Sequence, residues 1–456
     1  MPGNLTLAQL RKAVGNGEID TVIAAQVDMQ GRLMGKRFQA EHFIDSAVTE
    51  THSCNYLLAT DMEMETVEGY AASSWAAGYG DYTMIPDLAT LRRIPWLEGT
   101  ALVLCDVVDH HSHEDVPHSP RAILKKQIAR LEERGMTAKV ATELEFFLFR
   151  QSYEEVEASG YRGIDPISPY NEDYHIFQTT KEEDVMRAIR TGLHGAGIPV
   201  EGTKGEAECG QEEINISHAG PLECADNHAI AKNGCKEIAW SRNRALTFMA
   251  KWDTDMAGSS SHIHQSLWSK DGKTPLFHDP EGEYGMSETM RHYLAGLLTH
   301  ASEITYFLAP YVNSYKRFAK DTFAPTKAVW ALDNRTAGYR VCGDGTTSVR
   351  IECRVGGADL NPYLALSASL AAGLDGIERE MELEPEFTGN AYTAENIREI
   401  PTTLRAAMDA LNGSTMLREA FGGEVVDHYV RAAEWEQEEY DRHVTDWDLK
   451  RGFERA

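Results

Sequence analysis

Apolar and polar residues alternate with a period of two at several points along the chain, and each such run predicts a strand. Thr21–Val27 and Leu33–Phe38 read as two strands joined by Gln30-Gly31, a hairpin signal. Ala101–Val107 is a third. A short helix over residues 5–14 precedes them and is stopped by Gly15-Asn-Gly17. Between residues 45 and 90, Gly69, Gly78 and Gly80 punctuate an aromatic, acidic loop that resists assignment. Residues 1–112 therefore read as a small β-rich module.

A second module, 113–456, opens with a helix. Ser119 is its expected N-cap and Pro120 its first residue, while Leu124, Ile128 and Leu131 share a face and Gly135 ends it. Ala138–Phe149 predicts a strand and Asp184–His194 a helix. Residues 226–250 and 286–308 read as two long helices. The run from Asn361 to Leu374 carries a cap and a proline and is then apolar nearly all round. It predicts a buried helix behind the strand at 350–354. Residues 403–456 read as amphipathic, acidic helix. No internal repeat or low-complexity linker interrupts the chain.

Composition narrows the function. A net charge of −27 argues against nucleic acid or anionic membrane as partner. No apolar stretch approaches the ~20 residues that span a bilayer. Seven cysteines without a CxxC pair suit reduced thiols. With no leader-like N-terminus, they make a cytoplasmic protein the expectation. His110-His111-Ser-His113 has the look of a metal cluster but sits in a polar connection, where a solvated turn is the simpler reading.

Candidate chemistry lies on the predicted strands. In Arg350-Ile-Glu352-Cys-Arg354 the two arginines and the carboxylate share one face, and Ile351, Cys353 and Val355 share the other. Glu143 and Glu145 lie on one face, ~6.7 Å apart by the strand rise. Ser260, His262, His264 and Ser266 share a face, and Glu206 and Glu213 come from the Gly-rich segment between. Each segment alone could be a charged, solvated strand face; together they suit two or three Mg²⁺ or Mn²⁺ ions. Arg317, Arg335, Arg340, Arg350 and Arg354 would supply a cationic wall, as phosphoryl transfer requires. No GxxxxGK[ST] loop occurs, which excludes a P-loop fold.

The ordered motifs Glu143-Leu-Glu145, Gly210-Gln-x-Glu213, Gly258-Ser-Ser-Ser-His262-Ile-His264-Gln-Ser-Leu267, Asn313-Ser-Tyr-Lys-Arg317, Asn334-Arg-Thr-Ala337, Arg350-Ile-Glu-x-Arg354 and Asn361-Pro-Tyr-Leu resemble the type I glutamine synthetase family over residues 20–380. The resemblance implies an α+β protein, with an N-terminal β-grasp domain and a catalytic domain built on a curved antiparallel sheet. It also implies hexameric rings, commonly paired as a dodecamer, in which a neighbour's N-terminal domain closes each site. By position, Glu145, Glu206 and Glu213 resemble ligands of a first metal, and Glu143, His262 and Glu352 those of a second. Gly258 and Arg317 resemble the glutamate-binding pair, with Arg354 at the side-chain carboxylate. Arg335, Arg340 and Arg350 resemble ATP-phosphate contacts, and His264, Ser266 and Glu201 nucleotide contacts. Arg335 and Arg354 would also act in catalysis.

Two departures bear on the substrate. The family's Asp-Gly-Ser-Ser ammonium motif is missing from the stretch Glu63–Trp75. Where the family carries a flap glutamate, this chain has Phe323. A phenyl ring packs against carbon and cannot hold a small cation by charge. The pattern therefore resembles the γ-glutamyl-amine ligase branch, joining L-glutamate to an organic amine with ATP. Ethanolamine or a short monoamine ranks first, then polyamines, then isopropylamine or aniline-like amines. Trp75 and Tyr79 are candidate partners of Phe323 in the amine pocket, and Asp321, Glu65 and Glu68 are candidate bases. An ordinary ammonia-using synthetase and a catalytically silent member remain the rival readings. The family's adenylylation motif is missing near Asn390-Ala-Tyr392.

Overall fold

A computed structural model describes every residue except Met1, Pro2 and Ala77. The strands are β1 (Thr21–Val27), β2 (Leu33–Gln39), β3 (Thr51–Cys54), β4 (Asp81–Pro86), β5 (Arg92–Arg93), β6 (Thr100–Asp109), β7 (Met136–Leu148), β8 (Val200–Gly205), β9 (Gln211–Ile216), β10 (Leu246–Thr247), β11 (Ile263–Ser269), β12 (Trp330–Leu332), β13 (Tyr339–Cys342) and β14 (Arg350–Cys353). Helices of eight residues or more are α1 (Leu7–Gly15), α2 (Pro120–Glu133), α3 (Glu183–Gly195), α4 (Pro221–Trp240), α5 (Glu288–Thr299), α6 (Ala301–Leu308), α7 (Pro362–Glu378), α8 (Leu404–Asn412) and α9 (Gly423–Arg442).

The strands form two sheets. The first runs β2-β1-β6-β4-β3, with β5 on β6; β1 and β6 are parallel and the other pairs antiparallel, consistent with the expected β-grasp unit. The second runs β12-β13-β14-β11-β7-β9-β8, antiparallel except for β12 and β13, with β10 on β7. The α+β class expected from the sequence is observed.

Four local expectations need correction. The loop at 45–90 contains β3 and β4, which pair with each other. The helix expected over 226–250 begins at Pro221 and ends at Trp240, because Asn243 turns the chain at φ 54° before β10. The helix expected over 286–308 is two helices broken at His300. Ser119 does not cap α2 through its side chain; its carbonyl accepts from Ile123 N at 3.0 Å. The histidine run at 110–113 is a turn, as read, where Thr83 Oγ1 and His110 Nδ1 lie 3.2 Å apart.

Helix α7 is buried on every side through Gly376, as its unbroken apolar run requires. It packs most extensively on α5 and then on α2. Backbones touch there: a Cβ on Gly296 would lie 2.2 Å from Ala372 O, and one on Gly376 2.2 Å from His292 O. Ile351, Cys353 and Val355 close the same core from the sheet side, so the opposite face of β14 is left to carry Glu352 and its arginines.

Candidate active site

The chemistry-bearing side chains project from β7, β9, β11, β13 and β14 and from the turns at their ends. Antiparallel register sets Glu145 opposite Glu213, and the turn after β8 adds Glu206. Ligand oxygens of these three residues all lie within 4.8 Å of one another. Glu145 Oε2 accepts from Ser260 N at 2.6 Å. Burial, and then the charge of Glu206, push Glu145 up to about 7. Burial and Glu143 push Glu213 up to about 9, against the pull of Lys204. Burial raises carboxyls such as these where the one ammonium beside them does not balance their combined charge.

The second group is Glu143, His264 and Glu352, also within 4.8 Å of one another, with His262 beside it. Glu143 Oε2 lies 2.6 Å from His262 Nδ1 and its Oε1 lies 2.9 Å from His264 Nε2. Burial would raise Glu143, but these two hydrogen bonds outweigh it and hold the carboxyl well below its ordinary range. Glu352 is buried too, yet the charges of His262 and Arg354 bring it to about 2. Arg354 Nη1 and Arg340 Nη1 both donate to Glu352, the latter at 2.8 Å. Nδ1 of His262 faces both carboxylates, 2.6 Å from Glu143 Oε2 and 3.6 Å from Glu352 Oε1, which makes it the ring nitrogen placed to meet a metal ion; its Nε2 is buried without a hydrogen-bond partner.

Arg317 is fully buried, and its guanidinium donates to Ser260 Oγ at 2.7 Å and to the carbonyls of Val355 at 2.9 Å and Arg354 at 3.1 Å. Gly258 lies against its stem: a Cβ there would be 2.6 Å from Arg317 Cγ. Glu201, His264, Ser266 and Arg350 line one cavity of about 600 Å³, bordered by Glu143. Arg350 Nε donates to His264 Nδ1 at 3.3 Å, linking that cavity to the second carboxylate group.

Other predicted residues are gathered only in part or not at all. Arg335 is exposed on the turn between β12 and β13, and Arg340 spends part of its charge on Asp333. Asp321 and Phe323 stand exposed on the loop after Arg317, both at positive φ (63° and 56°). Glu65 and Glu68 are exposed in the first module, where the Glu68 carbonyl accepts from Arg431 Nε of α9 at 2.9 Å. Trp75 and Tyr79 meet edge to face, ring centroids 5.0 Å apart.

Sequence reading missed Lys204. It is paired with Glu213 across β8 and β9, and its ammonium bonds Glu206 and lies 3.6 Å from Glu213 Oε1. It also missed Lys139, whose ammonium stands 3.3 Å from the Trp268 ring centroid at the cavity wall. Their alternation was visible, but the partner strand and facing ring that give them meaning were not.

Residues 117–452 match the glutamine synthetase catalytic domain. The gamma-glutamylethanolamide synthetase of Streptomyces coelicolor is 48% identical over 99% of this chain and 96% of its own length. The glutamate–isopropylamine ligase of a Pseudomonas species is 36% identical over 98% and 97%. The solved GmaS/ADP complex superposes with a TM-score of 0.85 at 27% identity, covering 97% of this chain and 99% of that one.

Proposed function

The chain belongs to the glutamine synthetase family, and from that premise we propose that it joins the γ-carboxylate of L-glutamate to an organic primary amine at the expense of ATP. Ethanolamine is the favoured amine, supported by the relative at 48% identity; other short monoamines and then polyamines follow. The observation that carries the reading is the meeting of two carboxylate groups and buried arginines beside a cavity of about 600 Å³.

The γ-carboxylate of glutamate attacks the γ-phosphorus of ATP, ADP leaves, and an acyl phosphate forms. The amine nitrogen then attacks the acyl carbon, phosphate departs, and the nitrogen loses a proton. Glu145, Glu206 and Glu213 would hold one Mg²⁺ or Mn²⁺, and Glu143, His262 and Glu352 a second, with His264 in reach. Such ions supply positive charge beside the phosphoryl group in transfer. Gly258 and Arg317 shape the glutamate end of the site, and Arg354 meets the carboxylate that reacts. Arg335, Arg340 and Arg350 offset the charge of the phosphates, and Glu201, His264 and Ser266 orient the nucleotide. An alkylamine arrives protonated, its pKa near ~10.4, so a base must take its proton; Asp321, Glu65 and Glu68 are the candidates.

We assign 1–112 to a substrate-closing unit and 113–456 to the catalytic unit, in a dodecamer of two rings working in the cytoplasm. In such a ring the exposed Glu68 and Trp75 would face a neighbour's Phe323. Phosphate release from ATP and glutamate over a panel of amines tests the activity. Turnover with ethanolamine and little with ammonia is expected. Ammonia alone as acceptor, or no acceptor at all, would replace this reading with an ordinary synthetase or a silent member.

A further inference from the structure

Strand β9 presents two faces. Glu213 points to the first carboxylate group, while Glu212 points to the other side of the sheet, as the two-residue period requires. There it meets Glu172, from the loop before α3, and Glu182, the residue preceding α3; ligand oxygens of the three lie within 4.8 Å of one another. Glu172 is 0% exposed, Glu182 2% and Glu212 1%. Acidic clusters are common, and this one alone would mean little. What points to a ligand is Glu172: it is wholly enclosed, and although the Ser168 hydroxyl and Gly210 N–H lie close by, neither of its carboxylate oxygens makes a well-formed hydrogen bond. Glu182 Oε2 and Glu212 Oε1 are in the same condition.

The cations nearby are committed elsewhere. Arg190 bonds Glu183 and donates to Thr203 Oγ1 at 2.8 Å. Gln178 Nε2 reaches Glu182 Oε1 only at 3.5 Å. By contrast, the first catalytic group holds Lys204 and the second holds Arg340 and Arg354. Three buried carboxylates with one long donor contact, and with Arg190 the nearby cation acting on Glu212, are costly to keep charged, and a bound cation would offset that cost.

We propose that Glu172, Glu182 and Glu212 form a third, structural site for a hard divalent cation, Ca²⁺, Mg²⁺ or Mn²⁺. An all-oxygen donor set selects this class over zinc or copper. The ion would tie the loop at 165–182 to the β8–β9 hairpin. That loop already hugs the hairpin: Gly210 N donates to Ser168 Oγ at 2.6 Å, and a Cβ on Gly205 would lie 2.5 Å from Glu172 O. Because the hairpin carries Glu206 and Glu213, the site would steady the catalytic ligands without touching substrate.

Protons shared between the carboxyls are the competing solution, and burial together with Glu182 pushes Glu172 up to about 8. Glutamine separates the two, since it keeps the shape of a protonated carboxyl but lacks the charge that would hold a divalent ion tightly. Metal-stripped wild type, Glu172→Gln and Glu212→Gln would be titrated separately with Ca²⁺, Mg²⁺ and Mn²⁺, reading ions bound per chain and thermal midpoint. Wild type should bind one ion more than either variant, with the site's affinity down at least tenfold in each. The ion giving the largest midpoint rise identifies the occupant. Variants as stable as wild type with the same ion count would overturn the proposal. Should they not fold, anomalous diffraction from wild-type crystals grown with Mn²⁺, and with Ca²⁺, decides. A peak among the three carboxylates supports the site; none there, with the catalytic groups occupied, overturns it.

Discussion

Lys204 shows what one side chain does to a cluster of buried carboxylates. Its ammonium sits among Glu206 and Glu213 and offsets charge that would otherwise be unbalanced in the metal-free chain. A hydrogen bond to a charged group contributes about 1.5–3 kcal/mol. Lys204→Met should therefore destabilise the metal-free protein by about that amount and enlarge the stabilisation that Mn²⁺ brings. Denaturant titrations with and without Mn²⁺ read both; an unchanged metal-free midpoint would show that Lys204 is not balancing the group. Phe323 makes the opposite kind of argument. Phe323→Glu should admit ammonia and raise KM for ethanolamine at least tenfold, measured by phosphate release. An unmoved amine preference would mean that the ring is no part of the pocket. The carboxylates and histidines of the site were legible in the sequence, because alternation alone puts Glu143 with Glu145 and His262 with His264. Lys204 was not, since its role depends on which strand pairs with β9.

At the level of elements, period two identified β1, β2, β6, β7 and β14, while helix ends were read less well. The apolar run from 286 to 308 passes through His300 without a break in its period, so no local signal divides α5 from α6. A tertiary contact marks the joint: His300 lies 2.8 Å from both Glu303 and Asp375, the latter on α7. Burial would lower the histidine, but hydrogen bonds and charge from Glu303 and Asp375 outweigh it and raise its pKa above the ordinary 6.5. A histidine raised by folding contributes stability that is whole below its unfolded pKa and is lost as pH rises through its folded one. Stability should therefore fall as pH rises from about 6.5. In His300→Asn that part of the pH dependence should vanish. Urea midpoints between pH 5.5 and 8.5 for the two proteins test it; parallel curves would dismiss the histidine.

Over the whole molecule, the two sheets are tied by a buried charge network. Arg121 of α2 donates to Asp87 and Asp226 at 2.7 and 3.0 Å and to Asp106, and Tyr363 Oη also donates to Asp226 at 2.7 Å. Asp87 and Asp106 belong to the first module, Asp226 to α4. Arg121→Met leaves Asp226 buried without its cation and should cost about 3–5 kcal/mol, of which Asp226→Asn in the same chain restores part. A double-mutant cycle by chemical denaturation measures both. The network was not legible in sequence, because its five residues are scattered between 87 and 363. The apolar cores cross the same line: Val27, Met29 and Tyr70 pack into the large core around α7, and Ala25, Leu102 and Leu104 into the one beneath β7 and α4. Residue 112 thus lies between two sheets whose residues share apolar cores. For anyone recombining relatives to trade acceptor preference, a crossover at that point would splice mismatched halves of two cores; swaps should carry β1, β6 and the surfaces they fill as one cassette.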